Sequence, residues 1–374
     1  MHLVGYLEAN AFGGAEAVLR RALAGALDEH RVTVVGPPDS VARQVAAVDP
    51  RIELVTSPPI DSKFDLRSAW GLRGLLRDLE PDVVHINLTD MAACLAATAV
   101  VVSLPHVGLV VVEHAAHPPQ SAFQRAAKRL GNRYVDVHVA VSHTLAALVS
   151  SESGQPLERI TVIPNGATEV EPYAHTPDPS GVLRLGVVTR LTRDKGVDTL
   201  LDAVVGMDAV EVVVAGDGPA YAELVARTEE LGLSGSVRFL GWVDEPDAVY
   251  RDVDVVVHPS RADIMPMSVI EAMHHGIPVV ATDVGGIPDL IDPGVDGLLF
   301  PTDDVAACRA ALESLRSPAE RARLGVAGRE RAVRCFSAAA QHAAFLAAYE
   351  RAHEASGRRR GFVRRVLRPG GPRR

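Results

Sequence analysis

The sequence predicts an α/β protein built from two Rossmann-like, doubly wound domains that face a central cleft. Its 374 residues are many for one α/β domain and suit two. Short apolar runs, typical of buried parallel strands, alternate with amphipathic helical patterns, and this alternation occurs in two successive series. Between the series, residues 167–181 are proline-rich and polar, which is typical of a linker.

The first series fills residues 1–166 and predicts an N-terminal Rossmann-like domain. Apolar runs predict strands, in chain order, at residues 2–7, 32–35, 52–55, 83–86, 108–112, 135–141 and 160–163. Helical patterns, with Ser142 as the N-cap of the last, cover residues 15–29, 66–79, 91–102, 123–130 and 143–149. Alternation of strand and helix predicts a parallel, doubly wound sheet.

The second series fills residues 182–336 and predicts a C-terminal domain of the same kind. Its predicted strands include residues 183–189, 210–215, 237–240, 253–258 and 297–300. Helical patterns between and after them include residues 197–205, 248–251, 305–314 and 318–335. A further helix over 337–356 is expected to pack back toward the N-terminal domain, and residues 357–374 are expected to form a disordered basic tail.

Composition narrows the class of protein. The net charge of the whole chain is −9, although residues 358–374 carry eight arginines and no acid. The rest of the chain, residues 1–357, is therefore even more negative and is too acidic for a nucleic-acid binder. Three scattered cysteines without a CxxC pair argue against a disulfide framework or a zinc knuckle. The longest apolar run is too short for a spanning helix, and no signal peptide is visible, so we expect a cytoplasmic protein. The arginine tail is either a solvated arm or a peripheral contact with the anionic inner face of the membrane.

Several loops carry residues suited to a phosphate ligand. Gly13-Gly14 lies where a loop enters a helix, and it either makes a turn or lets backbone N–H groups approach an anion. Arg190 and Lys195 flank a loop between a strand end and a helix start, where they are either solvated or form a diphosphate site. Gly216 begins a partial dinucleotide fingerprint, GDGP, that is weak as an NAD signal but fits a backbone turn near a nucleotide.

Two carboxylates and one histidine complete the set of candidates. Ser268 and Glu271 have the spacing of a capping box, which would explain the glutamate without a ligand; alternatively its carboxylate binds the hydroxyls of a ribose. Asp263 lies in the preceding loop, where a carboxylate can meet a sugar hydroxyl or a developing positive charge. His114 follows a buried strand, and it is either a core histidine or part of the cleft.

The ordered set of motifs resembles the retaining GT-B glycosyltransferases of glycosyltransferase family 4 (glycosyl transferases group 1), over roughly residues 3–350. No single motif is decisive, but their order and spacing are highly specific. They are GGAE at 13–16, PDVVH at 81–85, EH at 113–114, VS at 141–142, IPNG at 163–166, GVVTRLTRDKG at 186–196, VVAGDGP at 213–219, VRFLGWV at 237–243, the stretch 258–291 and DGLLF at 296–300.

The resemblance implies a nucleoside-diphosphate sugar as donor substrate and no metal or other cofactor. It also implies that residues 1–166 form the acceptor-side domain and residues 182–336 the donor-binding domain. Gly14 would approach the donor phosphates. Arg190 and Lys195 would neutralise the diphosphate as it leaves, so they would act chiefly in the transition state and do the work of a metal. Glu271 would bind the ribose.

The same resemblance places Asp263 close to the transferred sugar, as the first acid of the family's E-x7-E pair, and His114 near the sugar and the acceptor. Asp263 departs from the family's usual glutamate, and Ile264-Met265 replaces a pair that usually contains glycine. This implies an altered sugar pocket or weakened catalysis.

The function expected from these residues is retaining transfer of a sugar to a hydroxyl acceptor, such as a sugar, a lipid-linked glycan or a small molecule. Such transfers serve polysaccharide, glycolipid or glycoconjugate biosynthesis. Two rival functions stay open: a nucleotide-sugar epimerase or hydrolase on the same fold, and a non-catalytic protein that binds nucleotide sugars.

Overall fold

A computed structural model of the chain describes residues 1–9, 13–59, 65–88, 91–104, 106–115, 122–173, 181–243 and 246–366. The chain divides into two compact units. Unit 1 comprises Met1–Pro164 and Gln341–Arg374, and unit 2 comprises Asn165–Ala340. The first boundary therefore falls two residues before the 166/167 boundary expected from sequence, and the C-terminal segment belongs to unit 1.

Unit 1 contains a parallel sheet of seven strands with helices in the connections. The strands are β1 His2–Tyr6, β2 Arg31–Gly36, β3 Glu53–Thr56, β4 Val83–Leu88, β5 Gly108–Glu113, β6 Val137–Ala140 and β7 Ile160–Val162. The helices are α1 Gly14–Gly25, α2 Ala42–Ala46, α3 Leu66–Leu79, α4 Met91–Val102, α5 Ala122–Asn132 and α6 His143–Ser153. Ser142 caps α6 by accepting a hydrogen bond from the Leu145 N–H at 3.0 Å, which confirms that predicted start.

Unit 2 repeats the architecture with six parallel strands. They are β8 Leu183–Val188, β9 Val210–Ala215, β10 Val237–Gly241, β11 Val255–His258, β12 Val279–Thr282 and β13 Leu298–Phe300. The helices are α7 Val197–Val204, α8 Tyr221–Glu230, α9 Asp247–Asp252, α10 Met267–His274, α11 Ile287–Leu290, α12 Val305–Ser314 and α13 Pro318–Cys335. Helix α14, Ala338–Val366, crosses from unit 2 into unit 1.

The strand order of each sheet identifies where a ligand would bind. The first sheet runs β3-β2-β1-β4-β5-β6-β7 and the second β10-β9-β8-β11-β12-β13. Both orders reverse once, between β1 and β4 in unit 1 and between β8 and β11 in unit 2. Ligands of open α/β sheets bind outside the carboxyl ends of the strands at this reversal. Most predicted site residues lie near these two points: His114 follows β5, Arg190 and Lys195 follow β8, and Asp263 follows β11. Gly216 follows the neighbouring strand β9, whereas Gly14 begins α1 and Glu271 lies within α10.

Helix α14 differs from the prediction at its end. The sequence analysis ended this helix at 356 and expected a disordered tail beyond, whereas the helix continues to Val366. Arginine is a good helix former, and the first proline beyond this point is Pro369, so the two glycines on the way only weaken the helix. The arginine side chains of the predicted tail lie outside the described residues, and so do residues 367–374. Among the described residues, no helix is both long and apolar enough to cross a membrane.

Candidate functional site

The loop between β8 and α7 in unit 2 holds the two predicted phosphate-binding cations. Arg190 follows β8 and is exposed. Lys195 ends a short 3-10 turn, Arg193–Lys195, and its side chain is only 15% exposed. Gly196 then takes the left-handed conformation, with φ of 62°, as the N-cap of α7. Lys195 therefore lies directly before the N-terminus of a helix, and both cations belong to the loop at which the strand order reverses.

Lys195 is bound to Asp263, which follows β11 on the other side of that reversal. The Lys195 ammonium donates to Asp263 Oδ2 at 2.7 Å. His258, the last residue of β11, contacts the same oxygen through Nε2 at 3.1 Å. The Ile264 N–H donates to Oδ1 at 2.9 Å. The structure thus brings together two of the predicted site residues that are 68 positions apart.

These contacts fix the charge of Asp263. Burial by itself would raise the pKa of this carboxyl, but the hydrogen bonds and charges of His258 and Lys195 outweigh burial and hold the pKa far below its ordinary value. The carboxylate is therefore ionised throughout the physiological pH range and fixes the Lys195 ammonium beside it. His258 is a member of this cluster that sequence reasoning missed, although its position at a strand end, five residues before Asp263, was a usable signal.

Gly216, directly after β9, packs against the loop between β8 and α7. Its φ is 145°, and a Cβ at this position would lie 1.8 Å from the carbonyl oxygen of Thr189, next to Arg190. The Leu191 N–H also donates to the Asp217 carbonyl at 2.9 Å. The glycine turn after β9 therefore packs directly on the backbone that carries Arg190, which requires the absence of a side chain.

Replacing Gly216 with alanine is expected to displace this loop and destabilise unit 2. Gly206 provides the matched control, because it too has a positive φ, of 71°, but no described atom lies within 4 Å of its would-be Cβ. Both variants carry backbone strain, and only Gly216→Ala adds a clash with a neighbouring backbone. We expect Gly216→Ala to lose about 1–3 kcal/mol more than Gly206→Ala in chemical denaturation. Equal losses of unfolding free energy in the two variants would mean that the close approach of Gly216 to the Thr189 carbonyl does not contribute to stability.

The environment of Glu271 corrects one interpretation made from sequence. Helix α10 begins at Met267 with Pro266 as its N-cap, so Ser268 is its second residue and the predicted capping box does not form. The Glu271 carboxylate instead accepts a hydrogen bond from the buried Tyr250 hydroxyl at 2.9 Å. Burial, followed by the charge of Glu271, raises the pKa of Tyr250 well above its ordinary value, so the hydroxyl stays a donor. Capping was thus the wrong explanation, and Tyr250 is the partner that sequence reasoning missed.

In unit 1, Gly14 begins helix α1 after the loop that follows β1. The buried Glu16 carboxylate accepts a hydrogen bond from the Gly13 N–H at 2.9 Å and so holds this turn. Gly14 is exposed, and a Cβ added to it would meet no described atom within 4 Å. The protein itself therefore does not require a glycine here for packing, which leaves its backbone open to a ligand.

His114, the residue after β5, belongs to a polar network in unit 1. Its Nε2 lies 3.3 Å from Asn87 Oδ1. His85 Nε2 lies 3.0 Å from the same oxygen, and the Asn87 amide donates to the Ala15 carbonyl, at the start of α1, at 2.9 Å. This network connects His114 to the turn that contains Gly14. Of its other members, in β4, Asn87 was not singled out from sequence, and His85 was noted only as the last residue of the PDVVH motif.

Glu113, directly before His114, is the centre of a buried ionic cluster. Its carboxylate accepts from His138 at 2.9 Å and pairs with Lys128 at 3.4 Å. Lys128 also pairs with Glu152 at 3.4 Å. Burial opposes ionisation of Glu113, but His138 and Lys128 outweigh it and lower the pKa of this carboxyl. The cluster fastens α5 and α6 to the strand end from which His114 projects.

Comparison with known families identifies the chain. The Glycosyltransferase Family 4 model matches residues 12–169, and the model of Glycosyl transferases group 1 matches residues 183–317. Together the two matches cover more than half of the chain. The chain belongs to glycosyltransferase family 4. It is therefore a glycosyltransferase, as the resemblance of its motifs predicted.

Relatives of known activity match this glycosyltransferase over most of its length. The 2-deoxystreptamine N-acetyl-D-glucosaminyltransferase of Streptomyces fradiae is 28% identical over 363 residues, which is 86% of each chain. The GDP-mannose-dependent alpha-mannosyltransferase of Mycolicibacterium smegmatis is 29% identical over 281 residues, covering 68% of this chain and 70% of the relative.

A solved structure supports the fold of the glycosyltransferase. The crystal structure of Anabaena Alr3699/HepE in complex with UDP and glucose aligns with a TM-score of 0.77 at 22% identity, covering 92% of this chain and 97% of that one. The prediction of a GT-B fold with two Rossmann-like domains is confirmed.

Proposed function

We propose that this glycosyltransferase moves a sugar from a nucleoside-diphosphate donor to a hydroxyl acceptor, with retention of the anomeric configuration. The observation that carries the proposal is the Lys195 ammonium, held by Asp263 at 2.7 Å where the unit 2 strand order reverses. A fixed cation beside a helix N-terminus suits a diphosphate. The HepE structure with UDP and the GDP-dependent mannosyltransferase support a nucleotide-linked donor.

In the proposed reaction, Lys195 and Arg190 stabilise the leaving nucleoside diphosphate. Negative charge grows on the diphosphate as the glycosidic bond breaks, so both cations act most strongly in the transition state. Glu271 accepts hydrogen bonds from the ribose hydroxyls, with Tyr250 fixing the orientation of its carboxylate. Gly14 offers its backbone N–H to a phosphate of the donor.

Asp263 has two roles in this proposal. It fixes the ammonium of Lys195, and its permanent negative charge favours the positive charge that develops on the sugar ring. An ionised carboxylate has about four acceptor positions, and the described residues Lys195, His258 and Ile264 use three of them, so the proposal assigns the fourth to a sugar hydroxyl. Retention would follow a front-face course, in which the leaving phosphate takes the proton of the acceptor hydroxyl.

A two-step experiment tests the proposed function. UDP-, GDP- and ADP-linked sugars are first screened for a rise in melting temperature, because a ligand that binds the native state stabilises it. The stabilising donor is then incubated with hydroxyl acceptors, including 2-deoxystreptamine because of the Streptomyces relative, and the product anomer is assigned by NMR. We expect one donor class to stabilise the enzyme and the product to keep the donor configuration. An epimer or free sugar as the sole product would refute transfer, and an inverted product would refute retention.

A further inference from the structure

A chain of hydrogen bonds in unit 1, buried at its centre and partly buried at its end, runs from helix α14 to His114. The Tyr349 hydroxyl lies 2.8 Å from His85 Nδ1. His85 Nε2 lies 3.0 Å from Asn87 Oδ1, and that oxygen lies 3.3 Å from His114 Nε2. His85 also stacks on Phe345 of the same helix, with ring centroids 5.5 Å apart. Tyr349 and His85 are 264 positions apart in the sequence, so α14 completes a network that begins in the sheet.

The orientation of Asn87 determines the direction of every bond in this chain. Its Nδ2 lies 2.9 Å from the Ala15 carbonyl, and a carbonyl oxygen only accepts. The amide oxygen is therefore the atom that faces the two imidazoles. An amide oxygen also only accepts, so the Nε2 atoms of His85 and His114 must both carry a hydrogen.

Both imidazoles are neutral in this environment. Burial is the main cause that lowers the pKa of His85 to about 4. Burial and the neighbouring His85 together lower the pKa of His114 to about 3. A neutral imidazole carries one N–H, so Nδ1 of each ring is an acceptor. His85 Nδ1 accepts from Tyr349, whose hydroxyl must then be the donor, and His114 Nδ1 keeps its lone pair for a partner.

We propose that Tyr349, His85 and Asn87 are positioning residues that hold His114 as the Nε2–H tautomer, with Nδ1 directed as an acceptor to a substrate hydroxyl. The role of His114 toward the substrate rests on the proposed sugar transfer, whereas the assignment of its tautomer does not. A neutral His114 fixed in this way accepts a hydrogen bond from the donor sugar or the acceptor and does not supply a positive charge. Because Tyr349 belongs to α14, this C-terminal helix takes part in orienting a residue of the site.

The tautomer is measurable without any substrate. Two-bond ¹⁵N–¹H correlation spectra of protein labelled with ¹⁵N-histidine distinguish Nε2–H from Nδ1–H, and the His114→Gln spectrum assigns the signals. We expect His114 of the wild-type enzyme to be Nε2–H and neutral at pH 7. A wild-type His114 that is Nδ1–H or doubly protonated would overturn the proposal, and the variant serves only to assign the signals.

Variants then test which residues hold the tautomer. Asn87→Leu removes the shared acceptor and is expected to convert His114 to a mixture of tautomers. Gln155→Leu is the matched control, because it removes an amide oxygen 2.8 Å from the buried His138 in the same unit. The control should leave the His114 signals unchanged. An unchanged His114 tautomer in Asn87→Leu would show that Asn87 does not position it.

Kinetics separate the role in the reaction from the tautomer itself. Asn87→Leu is expected to lower kcat/KM by about 10–100-fold, which is the usual effect of removing a group that orients an imidazole. Tyr349→Phe is expected to lower it by a smaller factor, because Tyr349 acts on His114 only through His85 and Asn87. If Asn87→Leu has full activity although its His114 is a mixture of tautomers, the proposed hydrogen bond between His114 Nδ1 and a substrate hydroxyl is wrong. If the wild-type tautomer is as expected but no donor is turned over, the proposed function fails and the tautomer assignment stands.

Discussion

Replacing Lys195 with methionine is expected to lower the rate of sugar transfer by about 10²–10³-fold, as when one donor that stabilises transition-state charge is removed. Methionine keeps much of the apolar stem and removes only the charge that would meet the departing diphosphate. The release of nucleoside diphosphate from the stabilising donor measures the rate. Melting temperature is recorded for the same preparation, because loss of the fold would also abolish transfer.

Arg193→Met is the matched control for this variant. Arg193 lies in the same turn, but its side chain is 83% exposed and pairs with Glu223 at 3.0 Å, away from Asp263. Exposed pairs contribute about 0–1 kcal/mol, so the control should be nearly as active as the wild type. Near-normal transfer by Lys195→Met, or an equal loss in both variants, would remove Lys195 from the site.

Replacing Lys128 with methionine is expected to destabilise unit 1 by about 3–5 kcal/mol, because it leaves a buried carboxylate without its cationic partner. The side chains of Lys128 and Glu113 are only 5% and 1% exposed. His138 keeps its hydrogen bond to Glu113, but the charge of the Lys128 ammonium is lost. Thermal and chemical unfolding of the variant measure the loss.

The double variant Lys128→Met with Glu113→Gln provides the control, because removing both charges removes most of the desolvation cost. We expect it to recover a large part of the lost stability, and no recovery would contradict an electrostatic cause.

The contribution of Glu113 to stability is expected to depend on pH with a definite sign. The pKa of Glu113 is lower in the fold than its ordinary value of 4.5, so its contribution is complete above about pH 4.5 and is lost on acidification. Acid unfolding of Glu113→Gln should accordingly be less steep below that pH.

The sequence was sufficient to predict those features that depend on local pattern. Alternation of apolar runs with amphipathic helices predicted both doubly wound sheets, and Ser142 marked the start of α6. The loop positions of Arg190, Lys195 and Asp263 followed from the rule that ligands bind at the carboxyl ends of parallel strands.

The features that were missed depend on tertiary contacts. The spacing of Ser268 and Glu271 matched a capping box, but the N-cap of the helix is Pro266, two residues earlier, and Glu271 binds Tyr250 instead. The pairing of Tyr349 with His85 spans 264 positions, and no local pattern signals it. The ion pair between Lys195 and Asp263 was missed for the same reason, because 68 positions separate the two residues and their roles had been considered separately.

The most direct test of the account is the affinity of UDP and GDP for the wild type, Lys195→Met and Asp263→Asn, measured by calorimetry. If the Lys195 ammonium receives the diphosphate, Lys195→Met should weaken binding at least about tenfold, or about 1.4 kcal/mol. Asp263→Asn should bind as tightly or more tightly, because it removes a negative charge 2.7 Å from that ammonium. Unchanged affinity in Lys195→Met, or an equal loss in both variants, would contradict the assignment of this loop to the donor diphosphate.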